Sequence, residues 1–221
     1  MSGHVFVVHG DLTRLHADAY AISGRPDSGP SRTWKAHLGA RLGGAENTAP
    51  VGDGKREIRR WAWRDGAPGP WVVPVAGDVH TPFEWYEQAI RAFARIARSQ
   101  LTPSIGPRPL VAVPNLGGDK GGQAHDLGQH IPKMLGLLQE LAREHDVDVA
   151  YVFLSRRGYE AAQVHRMRER GRWWPALGEA LDDRAQQLAR RAVRGELALF
   201  LGAGIGNSAR LPDWGKLLAA L

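Results

Sequence analysis

Apolar positions along the chain fall into two rhythms. Short β-branched and aromatic runs predict strands, and longer stretches with apolar residues three or four apart predict helices. His4 to His9 is the first such run, ended by Gly10-Asp11, and Ala17 to Ser23 is the second. A Gly-, Pro- and Ser-rich loop follows from Gly24 to Ser31, then a helix from Thr33 to Leu42 closed by Gly43-Gly44. Ala45 to Pro70 is broken by glycine and proline, with one candidate strand at Glu57 to Trp63, and Trp71 to Ala76 reads as the next strand. Thr81-Pro82-Phe83-Glu84 opens a helix, with Thr81 as cap and Glu84 completing a capping box. Its apolar positions Trp85, Ala89, Ala92, Phe93 and Ile96 share one face.

The second half repeats the alternation. Leu110 to Pro114 is an apolar strand that runs into Asn115-Leu116-Gly117-Gly118-Asp119-Lys120-Gly121-Gly122. A helix from Asp126 to His145 buries Ile131, Met134, Leu135, Leu138 and Leu141, and Pro132 marks the start of its regular part. Asp148 to Leu154 is a buried strand, Arg157 to Arg170 a helix, and Trp173 to Arg194 a connecting helix with Trp174, Leu177, Leu181, Leu188 and Ala192 at helical spacing. Strands alternating with helices imply an α/β sheet covered on both faces, with ligands at the carboxyl ends of the strands. The loops after Val8, Val113 and Leu154 converge there. Finally, an apolar strand from Leu197 leads into Gly202-Ala203-Gly204, where backbone N–H groups can approach a phosphate or ribose, and a short helix runs from Leu211 to Leu221.

Composition changes this picture little. The 221 residues suffice for one packed domain and part of a second, and 43% hydrophobic with 24% charged residues is ordinary for a globular chain. No apolar run reaches bilayer length and the N-terminus lacks signal-peptide character, so the expected location is cytoplasmic, with no membrane partner. The absence of cysteine excludes disulfides, thiolate zinc sites and a cysteine nucleophile. His125 and His130 are five apart without a metalloprotease carboxylate, so no metal is expected. The net charge of +6 is carried mostly by arginine, in clusters at Lys55 to Arg64 and Arg156 to Trp174. Arginine interleaved with tryptophan has two readings, a single-stranded nucleic-acid surface or a solvated arginine face whose tryptophans point into the core.

Gly10-Asp11-Leu12-Thr13 followed by Ala17-Asp18-Ala19, then Val111 to Gly117, a glycine loop, a long helix and Val149 to Leu154, resembles the macro domain, an ADP-ribose-binding fold, across residues 4 to 170. The resemblance implies a mixed sheet sandwiched between helices. It makes Asp11, with Leu12 beside it, the acceptor for an adenine amino group, and Gly117, Gly118, Asp119, Lys120, Gly121 and Gly122 the phosphate loop. Ser155 and Arg156 would then contact the distal nucleotide. Each has a plainer reading: Asp11 as a turn cap, the glycines as a connection, Arg156 as a surface charge. Where hydrolytic members carry an Asn-rich segment after the second strand, this chain has Ser23-Gly24-Arg25-Pro26, and Asp27 to Ser31 stands in place of the first glycine loop. Those departures argue against hydrolysis, and no catalytic residue is assigned.

Gly202, Ala203, Gly204 and Ile205, with Leu211-Pro212-Asp213-Trp214 after them, resemble the first NAD-binding loop of SIR2-like proteins, with Gly206 where that family has serine. This resemblance implies three parts: residues 1–170 as a macro-like nucleotide-binding domain, 171–195 as a connecting helix and 196–221 as the incomplete start of a SIR2-like Rossmann domain. NAD would be the cofactor of the longer parent, and the remainder of the SIR2-like domain its partner. The expected function is sensing of ADP-ribose or a cyclic ADP-ribose type signal that controls a NAD-consuming domain, an arrangement similar to bacterial defence systems. The alternatives are a divergent ADP-ribose hydrolase and an Arg/Trp nucleic-acid-binding module.

Overall fold

The structure is a computed structural model that describes residues 3–25, 29–51, 56–66, 68–75, 81–104, 107–118, 126–169, 178–198 and 214–219. The chain divides into two compact units, Met1–Gln163 and Val164–Leu221. The first unit is built on a mixed sheet of eight strands: β1 (Val5–His9), β2 (Ala19–Arg25), β3 (Gly29–Pro30), β4 (Leu42–Val51), β5 (Arg56–Trp63), β6 (Pro68–Pro74), β7 (Leu110–Pro114) and β8 (Asp148–Phe153). Their order is β1-β8-β7-β2-β6-β5-β4, with β3 paired to β2 outside that path. The first five are mutually parallel, and β5 and β4 extend the sheet antiparallel.

Alternation of side chains across each strand decides which helix covers which face. Ile22, Val72, Ala112, Ala150 and Val152 join a buried cluster with Leu12, from a 3-10 turn at Leu12–Arg14, and with Leu38, from helix α1 (Arg32–Leu38). Trp71 points the other way, its ring 6.4 Å from Phe93 on α2 (Phe83–Gln100). Helix α3 (Leu127–Glu144) packs against α2, β1 and β8, burying Ile131, Met134, Leu135, Leu138 and Leu141 as its periodicity predicts. An Arg91 guanidinium joins Glu87 of α2 to Glu140 of α3 at 2.9 Å each, a half-exposed link worth little beside the apolar contact.

Several expectations are corrected. Leu42, Gly43 and Gly44 belong to strand β4 rather than to the end of α1, because pairing with β5 recruits them through two register shifts. The Gly24–Ser31 loop contains strand residues: β2 continues to Arg25, and Gly29 and Pro30 pair back onto it. Helix α2 begins at Phe83, with Pro82 rather than Thr81 in the cap position. The face α2 buries is Tyr86, Ala89, Ile90, Ala92, Phe93 and Ala97, which leaves Trp85 and Ile96 at its margin. Helix α3 starts at Leu127, with Pro132 tolerated in its second turn, so the proline does not mark its beginning.

Helix α4 (Arg156–Arg168) follows β8. In the second unit α5 covers Gly178–Val193, within the helix expected from Trp173 to Arg194, with Leu181 and Leu188 exposed, and α6 covers Trp214–Ala219. Trp174 and Leu177 lie outside the described residues. No described helix is long and apolar enough to cross a membrane. Because Phe93 is 1% exposed between α2 and the sheet whereas Phe6 on β1 is 47% exposed, Phe93→Ala should cost about 3–5 kcal/mol and Phe6→Ala about 1 kcal/mol or less in urea unfolding.

Candidate functional site

Parallel pairing brings three strand ends side by side. The Gly10 amide donates to the Phe153 carbonyl at 2.9 Å, and the Asn115 amide donates to the Val152 carbonyl at 3.2 Å. The loops after β1, β8 and β7 therefore leave the sheet in adjacent positions, at its carboxyl edge. Asp11 and Leu12 stand in the first, Ser155 and Arg156 in the second, and Gly117 and Gly118 in the third. Asp119, Lys120, Gly121 and Gly122 lie outside the described residues, as do Gly202, Ala203, Gly204 and Ile205.

Asp11 caps the 3-10 turn. Its Oδ1 accepts from the Thr13 amide at 2.9 Å and from the Thr13 hydroxyl at 2.8 Å. Its Oδ2 lies 3.8 Å from His37 Nε2 of α1. The Thr13 amide is the chief reason that the carboxyl titrates below its ordinary range, with the Thr13 hydroxyl, His37 and Arg14 adding to it against the opposing effect of burial. One oxygen is thus committed to the turn, and the carboxylate holds its charge. Leu12 is buried in the core and supports the turn from below.

The third loop is a tight glycine turn. The Gly118 amide donates to the Asn115 carbonyl at 3.1 Å, and Gly117 adopts φ 79°, a conformation that side chains resist. A Cβ at Gly117 would strike the Tyr86 ring, and one at Gly118 would strike the Asn115 amide group. Asn115 Oδ1 accepts the Tyr151 hydroxyl at 2.6 Å, which turns Nδ2 outward from that bond; Nδ2 is buried and has no partner among the described residues. Asn115 is therefore a donor held at the strand end. The sequence shows it only as the residue between a strand and a glycine run, a position that favours turns generally.

In the second loop, Ser155 Oγ accepts from the Gly158 amide at 3.2 Å and so caps the first turn of α4. The Arg156 guanidinium pairs with Glu160 one helical turn along, at 2.7 Å, and is 82% exposed, as its surface-charge reading expects. His9 stacks on Tyr159 with centroids 5.5 Å apart, tying the end of β1 to α4.

Among the described residues, three arginines lie over tryptophan rings: Arg56 over Trp85, Arg41 over Trp63 and Arg60 over Trp71. Arg56 is buried, with its guanidinium 3.6 Å from the Trp85 ring centroid and donating to the carbonyl of Trp85 and to Gln88 Oε1. Arg41 lies 4.7 Å over Trp63, beside a hollow of about 140 Å³ that Leu12, Thr13, Tyr20 and Trp34 also line. Tyr20, Trp34, Trp61 and Trp63 pack against the core cluster on that face. Among the described residues no group of His, Asp and Glu is placed to hold a metal ion.

Comparison with known proteins bears on the fold alone. No protein-family model matches the chain, and no curated protein matches it. A solved Trypanosoma brucei macrodomain, in complex with ADP-ribose in one structure and with ADP in another, is similar at TM-score 0.51 and 15% identity, over 73% of this chain and 68% of that one. A structure described as alphavirus P23pro-zbd is similar at TM-score 0.50 and 14% identity over 76% of this chain, which spans 24% of the alphavirus chain. The first unit thus has a macrodomain-like α/β fold, as its strand and loop order implies.

The depressed pKa of Asp11 has a measurable consequence. Its contribution to stability is fully present above the unfolded carboxylate pKa and is lost as pH falls through the lower folded value. The urea midpoint of the natural chain should therefore exceed that of Asp11→Asn at neutral pH, and the gap should narrow progressively from about pH 4 downward. A gap that does not change with pH would contradict the assignment.

Proposed function

We propose that the first unit binds an NAD-derived nucleotide of the ADP-ribose class across the carboxyl ends of β1, β8 and β7. The observation that carries this reading is the adjacency of a charged carboxylate at Asp11 and a tight glycine turn with an unspent amide donor at Asn115–Gly118, on neighbouring loops of a macrodomain-like sheet. Asp11 Oδ2 would accept the exocyclic amino group of the base, a task suited to a group that accepts only. The Gly117 backbone N–H, above the buried Asn115 Nδ2, would face the phosphates, with Lys120 offsetting Asp119. Ser155 and Arg156 would border the distal part of the ligand, Arg156 by exchanging Glu160 for an anion. ADP-ribose bound by the similar macrodomain supports this ligand class.

The resemblance of Gly202 to Ile205 and of Leu211 to Trp214 to a SIR2-like NAD loop extends the proposal. The nucleotide would act as a signal to a NAD-consuming domain, which requires that it bind the active state more tightly than the inactive one. The present 221 residues alone should show no NAD hydrolysis.

Calorimetry with ADP-ribose, NAD and cyclic ADP-ribose isomers tests the site. At least one should bind, and Asp11→Ala should weaken it about tenfold or more, the value of a hydrogen bond to a charged acceptor. Binding by none of them, or binding indifferent to Asp11→Ala, would refute the site.

A further inference from the structure

The hollow beside Arg41, of about 140 Å³, lies toward the edge of the sheet opposite the proposed nucleotide site. Tyr20 and Pro70 line it from the first halves of β2 and β6, so both stand near the amino ends of parallel strands. Trp63 ends β5, which runs antiparallel to β6, and therefore stands at the same end. Trp34 and Leu38 close the space from α1, on the face of the sheet that this helix covers. The hollow meets the Asp11 turn only at Leu12 and Thr13.

Its polar walls are already committed to the fold. The Thr13 hydroxyl gives its proton to Asp11 at 2.8 Å, and the Tyr20 hydroxyl donates to the Leu15 carbonyl while accepting the Ala17 amide at 2.9 Å. Ile22 and Leu38 offer apolar surface, and Pro70 has no N–H to give. The rings of Tyr20, Trp34 and Trp63 reach the space from three separate elements, β2, α1 and β5. Arg41 is the one charged residue in this lining. It is exposed, and no carboxylate pairs with it among the described residues. Its guanidinium lies 4.7 Å over Trp63, which takes the flat face of the cation and leaves its in-plane N–H groups for an acceptor.

We propose that this hollow binds a small aromatic carboxylic acid as its anion, with the ring among Tyr20, Trp34 and Trp63 and the carboxylate paired to Arg41. The volume is on the scale that admits one benzene ring, and it falls short of the roughly 300 Å³ at which pockets for larger ligands begin. Because Arg41 itself lines the hollow, the carboxylate sits on the ring or one carbon from it. The planar fork of the guanidinium matches the two oxygens of a carboxylate, so the anion is preferred to a neutral hydroxyl of similar size. None of the groups assigned to the nucleotide takes part.

A nuclear magnetic resonance titration of the full chain tests the site, read at the indole N–H signals of Trp34 and Trp63, which Trp34→Phe and Trp63→Phe assign. The probes are benzoate, benzyl alcohol and cyclohexanecarboxylate. Benzoate should shift both signals saturably, with a Kd in the millimolar range that suits so small a ligand. Benzyl alcohol, which keeps the ring and lacks the charge, should bind about fivefold more weakly or worse. Cyclohexanecarboxylate, which keeps the charge and lacks the flat ring, should bind about threefold more weakly. Arg41→Gln, a substitution at an exposed position, should erase the preference for benzoate over the alcohol. Saturating ADP-ribose should leave benzoate bound, and benzoate binding in a chain that takes up no ADP-ribose would support the hollow while refuting the nucleotide site. No saturable shift up to about 20 mM benzoate, equal affinity for benzoate and either analogue, indifference to Arg41→Gln, or displacement by ADP-ribose would overturn the proposal.

Discussion

The parallel pairing of β8 along both edges, with β1 on one side and β7 on the other, fixes where three loops leave the sheet. The register Val5 with Val149 and Val111 with Val149 puts the three strands in step, so their ends coincide. Slipping either pair by one residue would turn every side chain of a strand to the other face and bury the wrong set. The core defends the register. Val149, Tyr151 and Phe153 alternate with Ala150 and Val152, and all five are buried. The positions of Asp11, Ser155 and Asn115 thus follow from hydrophobic contacts they do not make.

At those strand ends, polar groups serve the fold, and Asn115 does so with its oxygen alone. Asp11 gives Oδ1 to Thr13, Ser155 caps α4, and Asn115 spends its oxygen on Tyr151. Structural and binding readings of these residues are therefore compatible: fixing one atom removes the rotational freedom that binding would otherwise have to remove.

The sequence makes the buried strands legible because β7 and β8 are unbroken apolar runs bounded by glycine, proline or charge. The macrodomain-like order of loops was legible only through the resemblance of Gly10 to Thr13 and of Val111 to Gly117 to that family's motifs. What it obscured were the elements decided by distant partners. Gly43 and Gly44 look like a helix stop, and only pairing with the Trp61–Trp63 end of β5 makes them strand. Trp85 and Ile96 satisfy helical spacing on α2, but the sheet meets that helix along Tyr86, Ile90, Phe93 and Ala97 instead. For the candidate site, Asp11, Gly117 and Ser155 stood out as loop residues after strands. The role of Asn115 depends on which atom is left without a partner, and no spacing rule encodes that. Asp119 to Gly122 and Gly202 to Ile205 remain expectations from resemblance.

The central claim is that one ligand spans the ends of β1, β8 and β7. Backbone amide chemical shifts recorded during an ADP-ribose titration address it directly. The account predicts that the largest changes fall together on Gly10 to Thr13, on Asn115 to Gly118 and on Ser155 to Gly158, with β4 and β5 little affected. Saturable changes centred on β4 and β5 or on the second unit, with those three loops unmoved, would contradict it.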